Sequence, residues 1–266
     1  SSSSERNPAH FEPHHGRQAD LRLRLRKLVK HYNGADVNAV NGIDLDIFKG
    51  IFVLLGENGS GKSTTISMLS GLLPITSGSA EVDGRDLSTQ LEGVRDSISI
   101  CPQHDLLSDR LTGAEHLRLF GILKGVPSFE LDDRITTSLH DVGLQTAGDK
   151  LVEAYSGGMK RSLSLAISLI ANSRVVFIDE ASSGMDMEKR RSLWDMLLRK
   201  KHEGSTLVLT THYMEEAEML GDRIGIMHRG NLVREGSVDF LKRELGYQIH
   251  TSGPKFKSDS ASSSSS

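Results

Sequence analysis

The chain has 266 residues, 37% of them hydrophobic, and a formal net charge of −3. That is enough for one large domain or two small ones with a core, and the mixed charge disfavours a broad nucleic-acid-binding surface. One cysteine, Cys101, excludes an internal disulfide framework and fits a reducing compartment. No apolar run approaches the roughly 20 residues that span a bilayer, and the polar start SSSSERNPAHFEPHHGR lacks the apolar centre of a signal peptide. The chain is therefore expected to be soluble as it stands, with any membrane connection made through a partner or through further parts of a longer chain.

Residues 1–19 read as a disordered segment. His10, His14 and His15 lie within it without packed partners, which disfavours a metal site. Leu21-Arg22-Leu23-Arg24-Leu25-Arg26 alternates with period two, a half-buried strand with arginines outward. A turn-rich stretch carrying Tyr32 follows. Ile43–Ile47 alternates again, and Lys49-Gly50 then turns into the apolar strand Ile51–Leu55, a hairpin-like pair. A helix is predicted over Lys62–Leu73, then a short strand and turn in SGSAEVDGRDL and a strand over Ser97–Ile100 ending in CPQHD. Thr112-Gly113-Ala114-Glu115 is a capping box opening a helix to about Lys124. A second helix spans about Phe129–Val142 and stops at Gly143. Ser156 caps a third helix running to about Ala171.

Arg174–Asp179 and Thr206–Thr210 are continuous apolar runs of the kind found in buried parallel strands. Helices are expected from Asp186 or Met187 to about His202 and over Tyr213–Leu220. A hairpin turns at Arg229-Gly230-Asn231, and a last helix covers Val238–Leu245. Strands alternating with helices predict a mostly parallel sheet covered on both faces. The serine-rich end, 253–266, reads as a disordered linker.

Between the strand Ile51–Leu55 and the first helix stands Gly56-Glu57-Asn58-Gly59-Ser60-Gly61-Lys62-Ser63-Thr64. Strand, G-x-x-x-x-G-K-[ST], helix is the context of a phosphate-binding loop. Gly56, Gly59 and Gly61 are expected at positive φ, aiming N–H groups inward beside the positive end of the helix. Lys62 can reach β- and γ-phosphates, and Ser63 can place its hydroxyl on Mg²⁺. Asp179 and Glu180 end a buried strand, where open parallel sheets present ligand-binding loops. Asp179 suits holding Mg²⁺, whereas Glu180 suits polarising an attacking water. Gln103 and His212 also follow strands, though alone each is an ordinary loop residue.

Gln103, Tyr155–Lys160 (YSGGMK), Phe177–Glu180 (FIDE), Ser183-Gly184-Met185-Asp186 and His212 occur in one order, and that order resembles the nucleotide-binding domain of ATP-binding cassette (ABC) transporters. The resemblance spans about Leu21 to Leu245, and Ser156-Gly157-Gly158 is its discriminating feature. CPQHDLLSDRLTGAEHL, SGGMKRSLSLAISLI and LTTHYMEEAEMLGDRIGIM are similar to the A subfamily, the large lipid-exporter-type transporters of eukaryotes. VDFLKRELGYQIH with its serine-rich sequel is more like the first than the second cassette.

The resemblance implies an α/β P-loop NTPase core over 20–252, with an N-terminal antiparallel β subdomain and an inserted α-helical signature subdomain at about 103–172. It implies ATP and Mg²⁺ as ligands. Tyr32 would stack on adenine, Gly56–Thr64 would wrap the phosphates, and Ser63, Gln103 and Asp179 would hold Mg²⁺. Glu180, His212 and Gln103 would serve hydrolysis. Ser156, Gly157, Gly158 and Asp186 would act on ATP held by a second cassette, from the same chain or a second copy. The other implied partners are transmembrane domains, at the cytosolic face of a membrane. Three departures stand out: Ala181-Ser182 where Pro-Thr usually follows the acid pair, which should loosen that loop; Tyr155 where Leu is usual; and Met159 in place of the usual Gln, as is common in the A subfamily.

Overall fold

A computed structural model describes residues 10–14, 16–182 and 185–245. Residues 1–9, His15, Ser183, Gly184 and the serine-rich linker lie outside the described residues.

The strands β1 (Leu21–Lys30), β2 (Val40–Phe48), β3 (Ile51–Leu55), β4 (Ser77–Val82), β5 (Arg85–Asp86), β6 (Ile98–Cys101), β7 (Val175–Asp179), β8 (Thr206–Thr211), β9 (Arg223–His228) and β10 (Asn231–Gly236) form two sheets. An antiparallel sheet has the order β2-β1-β4-β5, and a six-stranded sheet has the order β10-β9-β3-β8-β7-β6. In the larger sheet every pairing from β9 to β6 is parallel, and only β10 joins antiparallel.

The period-two strands explain the smaller sheet. Leu23, Leu25, Val40, Ile43, Leu45 and Ile47 turn inward while arginines and acids pair across the outer face, Arg26 with Asp46 among them. At Lys27 the backbone enters φ 48 and the register shifts, so Leu28 resumes the inward face. That bulge carries β1 four residues beyond the predicted end.

Ile43–Ile47 and Ile51–Leu55 do not pair. The alternating β2 finds its partner in β1, whereas β3 is buried on both faces and sits between β8 and β9. The Lys49-Gly50 turn carries the chain from one sheet to the other rather than closing a hairpin. On one side of the large sheet, Phe52, Leu54, Phe177 and Val208 pack with β1, β2 and the helix α1 (Lys62–Leu69). On the other, Val53, Ile178, Leu207 and Leu209 pack against Leu165 and Leu169 of α5 (Gly157–Leu169), Trp194 and Leu197 of α6 (Met187–His202), and Ala217 of α7 (Met214–Leu220).

A short helix α2 (Leu91–Ser97) precedes β6; only Val94 of its apolar residues is fully buried, so its sequence carries little helical periodicity. The chain between β6 and β7 forms α3 (Gly113–Leu123), α4 (Ser128–Asp141) and α5, with their own core of Leu117, Leu131, Ile135, Val152, Leu163 and Ile170. Thr112 and Glu115 make the predicted reciprocal cap. A last helix, α8 (Val238–Glu244), ends the described chain.

The reading of residues 1–19 as disordered needs correction for its second half. Phe11 bridges to Glu235 in β10, and the Glu12 carboxylate accepts from the Ser237 N–H (2.6 Å) and hydroxyl (3.1 Å) at the start of α8. Arg223 donates to the Glu12 carbonyl at 2.7 Å, and His14 lies 3.2 Å from Glu235. These contacts join residues about 211–225 positions apart, which local composition does not reveal. Among the described residues no helix is long and apolar enough to cross a membrane.

Candidate nucleotide site

Strand register builds the site. Leu55 lies opposite Thr211, Thr210 opposite Asp179, and Ile178 opposite Cys101. The carboxyl ends of β3, β8, β7 and β6 therefore stand side by side, and Gly56, His212, Glu180 and Gln103 emerge from them as neighbours. This is the crevice in which open parallel sheets bind ligands.

The loop from Gly56 to Gly61 leads into α1, whose N-cap, Gly61, has φ 104. A Cβ there would meet the Ala39 carbonyl at 2.4 Å, so both conformation and space require glycine. Gly59 also has positive φ, but Gly56 does not. Close approach rather than handedness accounts for Gly56: its Cβ would lie 2.5 Å from the Met227 carbonyl oxygen. The Gly230 N–H donates to the Ser60 carbonyl at 2.9 Å, so the β9–β10 turn props the loop from outside. Lys62 is buried and folds back over the loop, donating from Nζ to the carbonyls of Gly56 (2.8 Å) and Glu57 (3.0 Å). Burial lowers the ammonium's pKa, and the carboxylates of Glu180, Asp179 and Glu57 oppose that shift.

Ser63 Oγ donates to Asp179 Oδ1 at 3.0 Å, and the Thr210 hydroxyl donates to the same oxygen. Glu180 occupies the left-handed region at φ 48, uncommon for a residue with a side chain. Its N–H is anchored by the Thr210 carbonyl (3.2 Å) and hydroxyl (3.0 Å). Its carboxylate accepts from Gln103 Nε2 at 3.2 Å and lies 3.6 Å from His212 Nδ1. One residue apart, Asp179 thus faces Ser63 while Glu180 faces Gln103 and His212. A cleft of about 500 Å³ is lined by Asn58, Gly59, Lys62, Ser63, Gln103 and Glu180, among others. At its edge Tyr32 is exposed, with its hydroxyl 3.5 Å from Thr64 Oγ1.

The donor set fits Mg²⁺. Ser63 and Asp179 offer hard oxygens at one point, and Gln103 brings an amide to the same cleft. Among the described residues no cluster of three or more His, Cys, Asp or Glu forms an all-protein metal cage. Few protein ligands beside room for phosphate is how Mg²⁺ is held in nucleotide sites.

Ser156, Gly157, Gly158 and Asp186 stand apart from this cleft. Ser156 is exposed and caps α5, accepting from the Met159 N–H at 3.3 Å. Asp186 caps α6 by accepting from the Lys189 N–H at 2.9 Å; that bond, with help from the Lys189 side chain, holds its carboxyl below the ordinary range. Gly158 and Asp186 line a separate cleft of about 450 Å³ between α4, α5 and α6. A Cβ on Gly157 would meet nothing within 4 Å, and its φ lies outside the range that L side chains avoid. Among the described residues nothing demands glycine there.

Two site residues escape a reading by motif. Thr210 reveals itself only through strand register. Arg161 is buried in α5, and its guanidinium donates to the carbonyls of Pro102, Asp179, Ala181 (3.3 Å) and Gln103 (3.5 Å). An arginine amid the mostly apolar and small residues of this helix was the available signal. Ala181 and Ser182 are buried and Arg161 holds the Ala181 carbonyl, so the lost proline does not leave that segment unanchored.

A family model for the ABC transporter matches residues 40–183. Phospholipid-transporting ATPase ABCA3 of Homo sapiens is 44% identical over 87% of this chain, and ATP-binding cassette sub-family A member 7 of Rattus norvegicus is 45% identical over 84%. The chain spans 14% and 10% of the lengths of those two proteins. An ATP-binding subunit of an ABC transporter superposes with a TM-score of 0.78 at 26% identity, covering 85% of this chain and 94% of the subunit. A dimeric ATP-binding cassette, solved in a post-hydrolysis state bound to ADP and Pi, gives 0.75 at 23% identity over 81% of this chain and 98% of its own, a likeness of fold. The architecture agrees with these matches, and the chain belongs to the ABC transporter family.

Proposed function

We propose that residues 20–252 form a motor domain that binds and hydrolyses ATP with Mg²⁺, pairs head to tail with a second cassette, and drives a transporter's membrane domains from the cytosolic face of a membrane. The observation that carries this reading is the division of its parts. One cleft gathers Lys62, Ser63, Gln103, Asp179, Glu180 and His212, while Ser156-Gly157-Gly158 stands apart from it at the start of α5, with Ser156 and Gly157 exposed.

In this reading the N–H groups of Gly56–Thr64 and the Lys62 ammonium bind the phosphates, and Tyr32 carries the adenine. Ser63, Asp179 and Gln103 would hold Mg²⁺, which when bound neutralises developing phosphate charge. Glu180, with Gln103 and His212 beside it, accepts the proton of the attacking water. Ser156, Gly157 and Gly158 bring a second helix N-terminus to the γ-phosphate held by the facing cassette, and Asp186 meets that cassette across the interface. ATP then joins two domains, and its hydrolysis releases them. The names of ABCA3 and its kin point to phospholipid as the cargo class, which this domain itself does not touch.

The rival readings are a soluble ABC ATPase of chromosome or ribosome type, and a regulatory cassette that binds ATP but barely turns it over. Glu180→Gln separates the last from a motor. Turnover should fall at least 100-fold while an ATP-bound dimer accumulates in gel filtration. Equal, negligible turnover in wild type and variant, with ATP still bound, sinks the motor reading.

A further inference from the structure

The geometry points to Arg161 as the positioning residue that locks the signature helix α5 to the two loops presenting Gln103 and Glu180, so that these loops move as one body with the start of α5. The inference rests on the motor reading, because it assigns the linked loops to ATP hydrolysis.

Arg161 lies five residues into α5, just over one turn from Gly157. It is only 5% exposed, and its donors spread across two separate loops. On the β6 side it reaches the carbonyls of Pro102 and Gln103, with the Asp105 carboxylate 3.5 Å away. On the β7 side it reaches the carbonyls flanking Glu180, those of Asp179 and Ala181. Glu180 is therefore held at both peptide neighbours by one guanidinium, and its N–H is tied to Thr210. The planar fork of arginine suits this task, since its five N–H donors reach over a wider span than the three of one ammonium. α5 in turn packs into both the helical-subdomain core through Leu163 and Ala166 and the main core through Leu165 and Leu169. A push on Ser156-Gly157-Gly158 thus has a rigid path to Gln103 and Glu180 of the same chain.

Arg161→Met and Arg161→Lys test this with three measurements on the chain: equilibrium binding of a fluorescent ATP analogue, steady-state ATPase, and amide hydrogen exchange. For Arg161→Met, nucleotide affinity should stay within threefold while kcat falls at least tenfold. Exchange should rise at least tenfold in residues 103–105 and 179–182 and remain unchanged in β3 and α1. Arg161→Lys should recover part of both effects, and it carries the same test if the methionine variant does not fold. The inference is overturned if those two segments exchange at the wild-type rate, if kcat stays within threefold, or if protection is lost evenly through the whole domain. Absence of turnover in the wild type would instead defeat the motor reading, and the exchange result would still judge the lock.

Discussion

Gly157 and Gly113 occupy the same place, the first residue of a helix, yet alanine should act on them in opposite ways. At Gly157 an added Cβ meets nothing within 4 Å, so only the backbone term remains. Alanine favours helix over glycine by up to about 1 kcal/mol, worth a rise in Tm of up to about 4 °C for a domain of this size. At Gly113 the Cβ would lie 2.4 Å from the Tyr155 hydroxyl, which is on a rigid ring and donates to the Ala147 carbonyl at 2.7 Å. Overpacking of that kind costs about 1–3 kcal/mol. Set against a propensity gain of about 1 kcal/mol, a net loss of up to about 2 kcal/mol remains, a fall of up to roughly 8 °C. Function should diverge the other way. In the proposed pairing, a methyl group at Gly157 would stand in the path of a facing cassette's phosphate and shift the contact by about 1 Å, enough for about a 100-fold loss of turnover. Thermal unfolding followed by circular dichroism and steady-state ATPase read the two effects separately. A Tm drop of several degrees in Gly157→Ala would mean that the chain itself needs this glycine. Unchanged turnover would mean that nothing approaches it.

Tyr32→Ala should weaken ATP-analogue binding about 5- to 150-fold, the equivalent of about 1–3 kcal/mol of base stacking. Tyr32→Phe should bind like wild type in the same fluorescence titration, since among the described residues the hydroxyl makes only the 3.5 Å contact to Thr64. Burial alone would raise the Glu12 pKa, but hydrogen bonds from Ser237 and the charges of Arg223 and Arg243 hold it below the ordinary value. Its stabilising contribution is therefore present above about pH 4.3 and lost as pH falls through the folded-state value. Urea unfolding should show Glu12→Gln less stable than wild type at pH 7 and the two converging as pH falls below the folded-state value. Burial pushes the Cys101 thiol up to about 11, against the pull of the Arg161 charge. Thiol reagents at pH 8 should leave native protein unlabelled and label it fully in urea; rapid native labelling would contradict the burial.

What could be read along the chain was whatever local chemistry dictates. The apolar runs of β7 and β8 announce strands covered on both faces, and the Thr112–Glu115 capping box announces α3. The phosphate loop names its own lysine and serine. Pairing was harder to read. Ile43–Ile47 and Ile51–Leu55 look like a hairpin from their spacing, but one is one-sided and the other two-sided in burial, which sends them to different sheets. Glu12 and Arg161 draw their importance from partners far along the chain, and no period or spacing betrays such contacts. Gly56 was recognised as necessary but for a different cause, a carbonyl contributed by β9.

The Phe11–Glu235 bridge bears on where this domain can be cut. It places backbone beside β10, the outermost strand of the large sheet, whose unpaired N–H and C=O groups are otherwise a template for another chain. A fragment starting at Leu21, where the first strand begins, would keep every residue of the nucleotide cleft and still bare that rim. Such a fragment should bind nucleotide yet self-associate, and one starting at His10 or earlier should stay dispersed.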